Sequence, residues 1–251
     1  MNNDLDFRIS RPDKSIADYV ESFWLLENRS GKEKELIILP DGRIDLVFAQ
    51  SAAEPFHITL SGLETHPDQA ALAPGTKMFA VSFRLLATEY ILHNSVSGLR
   101  DSAQRLPAGF WNFSAADLGN FDRFCKKAAE KIQSLLPGEI DRRKQKMFDA
   151  LYAANGAITV KALSEKAGWS SRQINRYFNR QFGLSLKTYC NILRFRASFQ
   201  HIREGRLFPQ ENFADQSHFI REVKKLSGVS PKELKRNQNG RFIQLSTLPP
   251  E

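Results

Sequence analysis

Cysteine is nearly missing from this chain of 251 residues. Cys125 and Cys190 lie far apart and form no C-x-x-C pair. Two such residues cannot build a disulfide scaffold. With His57, His66, His93, His201 and His218 scattered, they cannot build a structural zinc site either. Both are expected as free, buried thiols in a reducing cytosol. Long hydrophobic runs are missing too, because no stretch reaches the ~18 apolar residues of a membrane span. The N-terminus, Met1-Asn2-Asn3-Asp4-Leu5-Asp6, has neither an apolar core nor a small-residue cleavage site. The expectation is a cytoplasmic protein with no membrane partner, no metal and no cofactor.

Acidic charge is scarce in one part of the chain only. From Ile140 to Gly240 there are 20 Lys/Arg against 8 Asp/Glu, a balance of +12. The remainder holds 16 against 20, a balance of −4, which leaves the formal net charge of +8. A basic block joined to a mildly acidic one is the footprint of a two-part protein in which one part meets a polyanion. Charge does not say which polyanion, so a motif must.

The first ~110 residues read mostly as strand. Glu35–Leu39 runs into Pro40-Asp41-Gly42, a turn signal, and then into Arg43–Phe48, where Ile44, Leu46 and Phe48 alternate as in a half-buried hairpin strand. His57–Leu63 and Phe79–Leu85 add strands, and a short helix is expected near Thr88–Ser95. Strands separated by Gly/Pro turns point to a small barrel or sandwich. From Ala116 to Leu136 the period becomes helical, with Leu118, Phe121, Cys125, Ala128, Ile132 and Leu135 on one seam, and Pro137-Gly138 ends it. That stripe suits either a partner helix or the protein's own sheet.

The basic block is helical. Asp141–Ala154 forms one helix. Val160, Leu163 and Ala167 lie on a second, Gly168 breaks it, Trp169 staples the turn, and Ser170 caps a third from Ser171 to Phe182. Helix, glycine turn, helix is the helix-turn-helix unit. Ile174, Phe178 and Phe182 make its packing ridge, while Arg172, Gln173, Asn175, Arg176, Asn179 and Arg180 face outward. Groove-reading helices use their first turns, so Arg172, Asn175 and Arg176 are the candidates for base edges and Arg180 for phosphate. A long helix then runs from about Leu184 to Arg203, with Ile192, Leu193, Phe195, Phe199 and Ile202 as its apolar residues. Near the end, Phe219, Val223 and Leu226 form one stripe of a further helix, with Asp215 as N-cap and Gly228 and Pro231 closing it. Its other face carries Gln216, Ser217, His218, Arg221, Lys224 and Lys225 beside a single acid, Glu222. Such a face suits a DNA major groove.

The order of residues from Phe213 to Pro231 resembles the second helix-turn-helix of the AraC/XylS family of bacterial transcription regulators. The shared pattern is an aromatic, an Asp cap, Ser-His-Phe, a basic helix face and then Gly-x-Ser-Pro. The resemblance covers about Ile158 to Pro231 and implies an α+β chain, a β-rich N-terminal barrel or sandwich (cupin-like in many members) followed by an all-α domain with two helix-turn-helix units. It implies that the long helix holds two reading helices about one DNA turn apart (~34 Å), and that the Ala116–Leu136 stripe is often a dimerisation helix. The expected domains are 1–115 for sensing or assembly, 116–138 as a helical linker, 139–240 for DNA binding and 241–251 as a tail with a short strand at Phe242–Leu245. Double-stranded DNA is the implied partner. RNA polymerase, an effector that is a small molecule or a protein, and a second copy of the chain are further candidates. The implied role is sequence-specific transcription regulation, with an activator among the readings.

One departure from the family stands out. Only Arg206–Asn212 separates Gly205 from Phe213, and Pro209 limits that segment to about a turn of helix. The scaffold helix of the second unit is thus expected to be truncated, leaving the first unit to carry most of the specificity. Two competing classes are weaker. A DNA-repair alkyl-transfer enzyme with this module needs a metal-bound cysteine cluster and a reactive Pro-Cys-His cysteine, and the N-terminal strands lack the histidines of a metal-dependent cupin. A non-specific nucleoid-type binder would follow only if the truncation abolished base reading.

Overall fold

The computed structural model describes residues 4–207, 213 and 215–248. Its packing divides into two compact units. Unit 1 holds residues 4–34, 43–62 and 71–140, and unit 2 holds 35–42, 63–70 and 141–248.

Unit 1 is built on an open, antiparallel six-stranded sheet. Its strands are β1 (Leu5–Ser10), β2 (Val20–Asn28), β4 (Ile44–Gln50), β5 (His57–Ser61), β7 (Lys77–Phe83) and β8 (Ala103–Arg105), in the order β1-β2-β7-β4-β5-β8. The two remaining strands, β3 (Lys34–Ile38) and β6 (Asp68–Leu72), pair with each other in a separate ribbon. The β-rich expectation holds, as two sheets and not a closed barrel.

The pattern of β4 holds as well, with Ile44, Leu46 and Phe48 buried, and it is a hairpin strand, but its hairpin partner is β5 and not β3. The Pro40-Asp41-Gly42 turn leads from β3 into β4 without pairing them, because β4 lies between β5 and β7. A turn signal fixes a local change of direction and leaves the partner strand open. β2 escaped the sequence reading because Phe23-Trp24-Leu25-Leu26 is a continuous apolar run, suited to a strand between β1 and β7 rather than to alternation. At the root of the β3–β4 turn, Arg43 is buried and pairs with Glu21 at 3.3 Å, which also accepts from Arg84 Nε at 2.9 Å.

The expected helix near Thr88–Ser95 forms slightly earlier, as α1 (Leu86–Tyr90). The Ala116–Leu136 stripe splits. A 3-10 turn covers Ala115–Gly119, and α2 (Phe121–Ser134) begins only after Asn120, whose Oδ1 accepts from Arg123 N at 2.9 Å. Its apolar face belongs to the core of unit 1. The Phe124 ring meets Phe48, Phe79 and Phe113 with centroids 5.2–5.4 Å apart. Of the two readings of that stripe, packing on the protein's own sheet is the one observed. Lys127 Nζ donates to both Asp117 carboxylate oxygens at 2.8 and 2.9 Å, tying α2 to the preceding turn.

Unit 2 contains α3 (Arg142–Ala153), α4 (Val160–Ala167), α5 (Ser171–Phe182), α6 (Leu186–Ala197), α7 (Phe199–Arg203), α8 (Gln216–Ser227), α9 (Pro231–Arg236) and α10 (Ile243–Ser246). The single long linking helix of the sequence reading is jointed at Ser198, whose Oγ donates to Phe195 O at 2.6 Å and so competes for a helical carbonyl. The tail is a helix and not a strand. Only Phe242 bridges to Ile37, and Ser246 N then donates to Phe242 O at 3.0 Å. Both Phe242 and Leu245 are buried, so the tail is part of the core of unit 2.

Two segments of N-terminal sequence belong to that core. Leu39 N donates to Gln244 Oε1 at 2.9 Å, and Leu39 O accepts from Gln244 Nε2 at 3.0 Å. Tyr189 Oη donates to Gly42 O at 3.2 Å. Gly42 has φ +76°, and a Cβ there would lie 3.1 Å from the Tyr189 ring, so glycine is needed for both the turn and the approach.

Candidate nucleic-acid interface

The first helix-turn-helix is set by its caps. Thr159 Oγ1 accepts from Ala162 N at 3.1 Å to start α4, and Gly168, at φ 64°, ends it. Ser164 Oγ donates to Trp169 O across the turn, and the Trp169 ring meets Tyr177 edge-on at 5.4 Å. Ser170 and Gln173 form a capping box at the start of α5, and Gly183, at φ 72°, ends it. Ile174, Phe178 and Phe182 are fully buried, within an aromatic cluster that includes Phe148 and Tyr189. Burial of that ridge fixes which face of α5 is left outside.

On the outer face Arg172, Arg176 and Arg180 are exposed, as the sequence implies. Arg172 and Arg176 lie in the first two turns and Arg180 in the last. Asn175 is half-buried, and its Nδ2 donates one hydrogen to Ser171 O at 3.0 Å. Asn179 Nδ2 likewise donates to Asn175 O at 2.9 Å. Gln173 Oε1 accepts from Ser170 N at 2.9 Å and serves as a cap.

The second unit repeats the first cap for cap. Asp215 Oδ1 accepts from His218 N at 2.7 Å where Ser170 stands in the first unit. Gly228, at φ 74°, answers Gly183, and Ser230, the N-cap of α9, answers Ser185, the N-cap of α6. Phe219, Val223 and Leu226 are buried, and Gln216, Ser217, Arg221, Lys224 and Lys225 are exposed. His218 is half-buried, its ring 5.7 Å from Phe213. Residues 208–212, the greater part of the segment expected to be truncated, lie outside the described residues.

Sequence reasoning missed what holds α8. Asn191 Nδ2, on α6, donates to Glu222 Oε2 at 2.7 Å. Arg194 donates to Asn191 Oδ1 and lies over the Phe213 ring, 5.9 Å from its centroid. Glu222, the single acid of a basic face, is thus turned to the linking helix. Overlaying the two units on their caps would have shown that α8 alone places an acid at that flank.

Among the described residues no cluster of His, Cys, Asp and Glu suits a metal, and no helix is long and apolar enough to cross a membrane. Burial raises the Cys125 thiol to about 12 and the Cys190 thiol to about 11. Cys190 is buried and Cys125 half-buried, and both are free.

Comparison with known families matches residues 163–237 to a helix-turn-helix domain. This part is an AraC-type helix-turn-helix domain, and the chain is a DNA-binding transcription regulator. Residues 8–105 of the regulator match a domain of unknown function (DUF6597). No curated protein matches the chain. Among solved structures it is similar to ToxT from Vibrio cholerae O395, at 12% identity and a TM-score of 0.46, covering 98% of this chain and 100% of that one. It is also similar to wild-type ToxT of strain SCE256 with a bound unsaturated fatty acid (11%, TM-score 0.41, 94% and 96% covered). A third match is ToxT of O395 bound to (E)-4-(8-methylnaphthalen-1-yl)but-3-enoic acid (14%, TM-score 0.41, 97% and 100% covered).

Proposed function

We propose that the regulator lays α5 and α8 against one duplex, each in a major groove, and reads sequence mainly through the first. In this reading Arg172, Asn175 and Arg176 meet base edges, and Arg180, Lys224 and Lys225 neutralise phosphates. Gln216, Ser217, His218 and Arg221 form the reading turns of the second helix. The observation that carries it is the cap-for-cap repeat, which leaves two helices of one design with their cationic faces exposed, both packed on α6. Unit 1, which takes in most of 1–115 together with α2, is the sensing or assembly part. The 139–240 part, together with 35–42 and 63–70, reads DNA. Two stretches that start and end in unit 1 but pack in unit 2 support that division, since they give a signal a covalent route between the two.

The protein acts without enzymatic chemistry and in the cytoplasm, with RNA polymerase as the further partner if it activates. A second copy would have to use a face other than the α2 stripe, which is spent inside unit 1. The experiment is selection of bound fragments from genomic DNA, followed by affinity for the selected site and for random duplex across a salt series with the full chain. For about six phosphate contacts the slope of log K on log salt should be near −5. The selected site should bind at least ~10³-fold more tightly than random duplex. A flat slope sinks DNA binding, and equal affinities reduce the protein to a non-specific binder.

A further inference from the structure

We infer that Ile220 is a specificity residue of the second reading helix and that it takes the 5-methyl group of a thymine. This inference rests on the DNA-reading function proposed above and names part of what that surface recognises. Among the described residues two large hydrophobic side chains are exposed, Ile9 at 52% and Ile220 at 36%. A lone exposed aliphatic residue is ordinary on a protein surface. Its place in the repeat is what distinguishes Ile220. With Asp215 laid on Ser170 and Gly228 on Gly183, Arg221 falls on Arg176 and Ile220 on Asn175. Of the three base-edge positions of α5, Arg172 is therefore answered in α8 by Ser217, Asn175 by Ile220 and Arg176 by Arg221.

The neighbours of Ile220 agree with that placement. Gln216 stands one turn before it and Lys224 one turn after it, and both are exposed. Glu222, on the other flank, is held by Asn191. Ile220 thus sits among groups that donate hydrogen bonds or neutralise phosphate, and it has no polar group to offer. β-branched residues are also mediocre helix formers, so an exposed mid-helix isoleucine gives the free protein no evident benefit. In a major groove the bases present hydrogen-bonding groups and one apolar substituent, the thymine 5-methyl, which such a side chain can cover. Arg221 beside it can fork to a guanine, so α8 would read a guanine and a thymine near each other.

The test uses the full chain, the selected DNA site, and copies of that site in which thymines are replaced one at a time by deoxyuridine. That replacement deletes the methyl group and leaves base pairing intact. For the wild type, one thymine under the second unit should show about a fourfold loss of affinity on methyl removal, the worth of one buried methyl group. Ile220→Ala should bind the all-thymine site about fourfold less tightly, bind random duplex unchanged, and ignore the same replacement. The inference is overturned if no thymine is sensed by the wild type but not by the variant. It is overturned equally if Ile220→Ala weakens all duplexes alike while lowering the unfolding temperature, because the side chain would then be packing within the protein. If the wild type itself fails to prefer its selected site over random duplex, the regulator reading falls and this inference falls with it.

Discussion

Asn191 shows how much one neutral side chain can settle. It donates to Glu222 and accepts from Arg194, so a carboxylate and a guanidinium are bridged by an amide. Asn191→Leu should leave Glu222 without that donor and loosen α8, lowering affinity for the selected site about three- to tenfold, the worth of one ordinary hydrogen bond. Binding to a duplex that keeps only the site of the first unit should not change. Arg176→Ala should cost about 1–3 kcal/mol on the selected site and relax base preference there. Lys224→Ala should weaken selected and random DNA alike. Equal losses on both DNAs for Arg176→Ala would make it a phosphate contact. In unit 1, burial pushes the Asp117 carboxyl up, but hydrogen bonds from Lys127 and Ser114 outweigh it and hold the carboxyl below its ordinary value. Its contribution is therefore present at neutral pH and lost as pH falls through that lowered value. Asp117→Asn should be less stable than the wild type at pH 7, and the two unfolding curves should converge in acid.

Among the elements, two glycines that end up alike in conformation should respond differently to substitution. Gly168 and Gly156 have φ of +64° and +73°. A Cβ on Gly168 meets nothing within 4 Å, whereas one on Gly156 would lie 2.4 Å from Cys190 O on α6. Gly168→Ala should cost only the left-handed backbone penalty of about 1–2 kcal/mol, while Gly156→Ala must also displace backbone and should cost clearly more, read as the larger fall in unfolding temperature. The cap of α5 is a third test, with Ser170→Ala expected to cost about 1 kcal/mol. These contrasts also mark what was legible in the sequence. Caps are local chemistry, so α5 could be read from Ser170 to Gly183 and α8 from Asp215 to Gly228. The partners of β3 and β4 are a matter of distant pairing, which Pro40-Asp41-Gly42 cannot specify. Ile220 went unread because on its own helix it extends no stripe, and only the comparison with Asn175 gives it a role.

For the molecule as a whole, the charge asymmetry and the two-part plan were legible, because composition averages over position. The exchange of segments was not, because 35–42 and 63–70 read as ordinary strands and turns. A fragment of residues 139–251 should consequently melt well below the full chain, with Tyr189 and Gln244 deprived of Gly42 and Leu39. Supplying 35–42 and 63–70 by fusion should restore the melting temperature. The pairing of Leu39 with Gln244 spans 205 residues, and that distance has a consequence for biosynthesis. Leu39 leaves the ribosome 205 residues ahead of its partner, so the core of unit 2 cannot be completed until Gln244 has been made. At 5–20 residues per second the wait is roughly ten to forty seconds. Throughout it β3 has its unpaired edge and apolar side chains on offer to other nascent chains. The protein should accordingly depend on chaperones during its own synthesis more than two domains folding in sequence would.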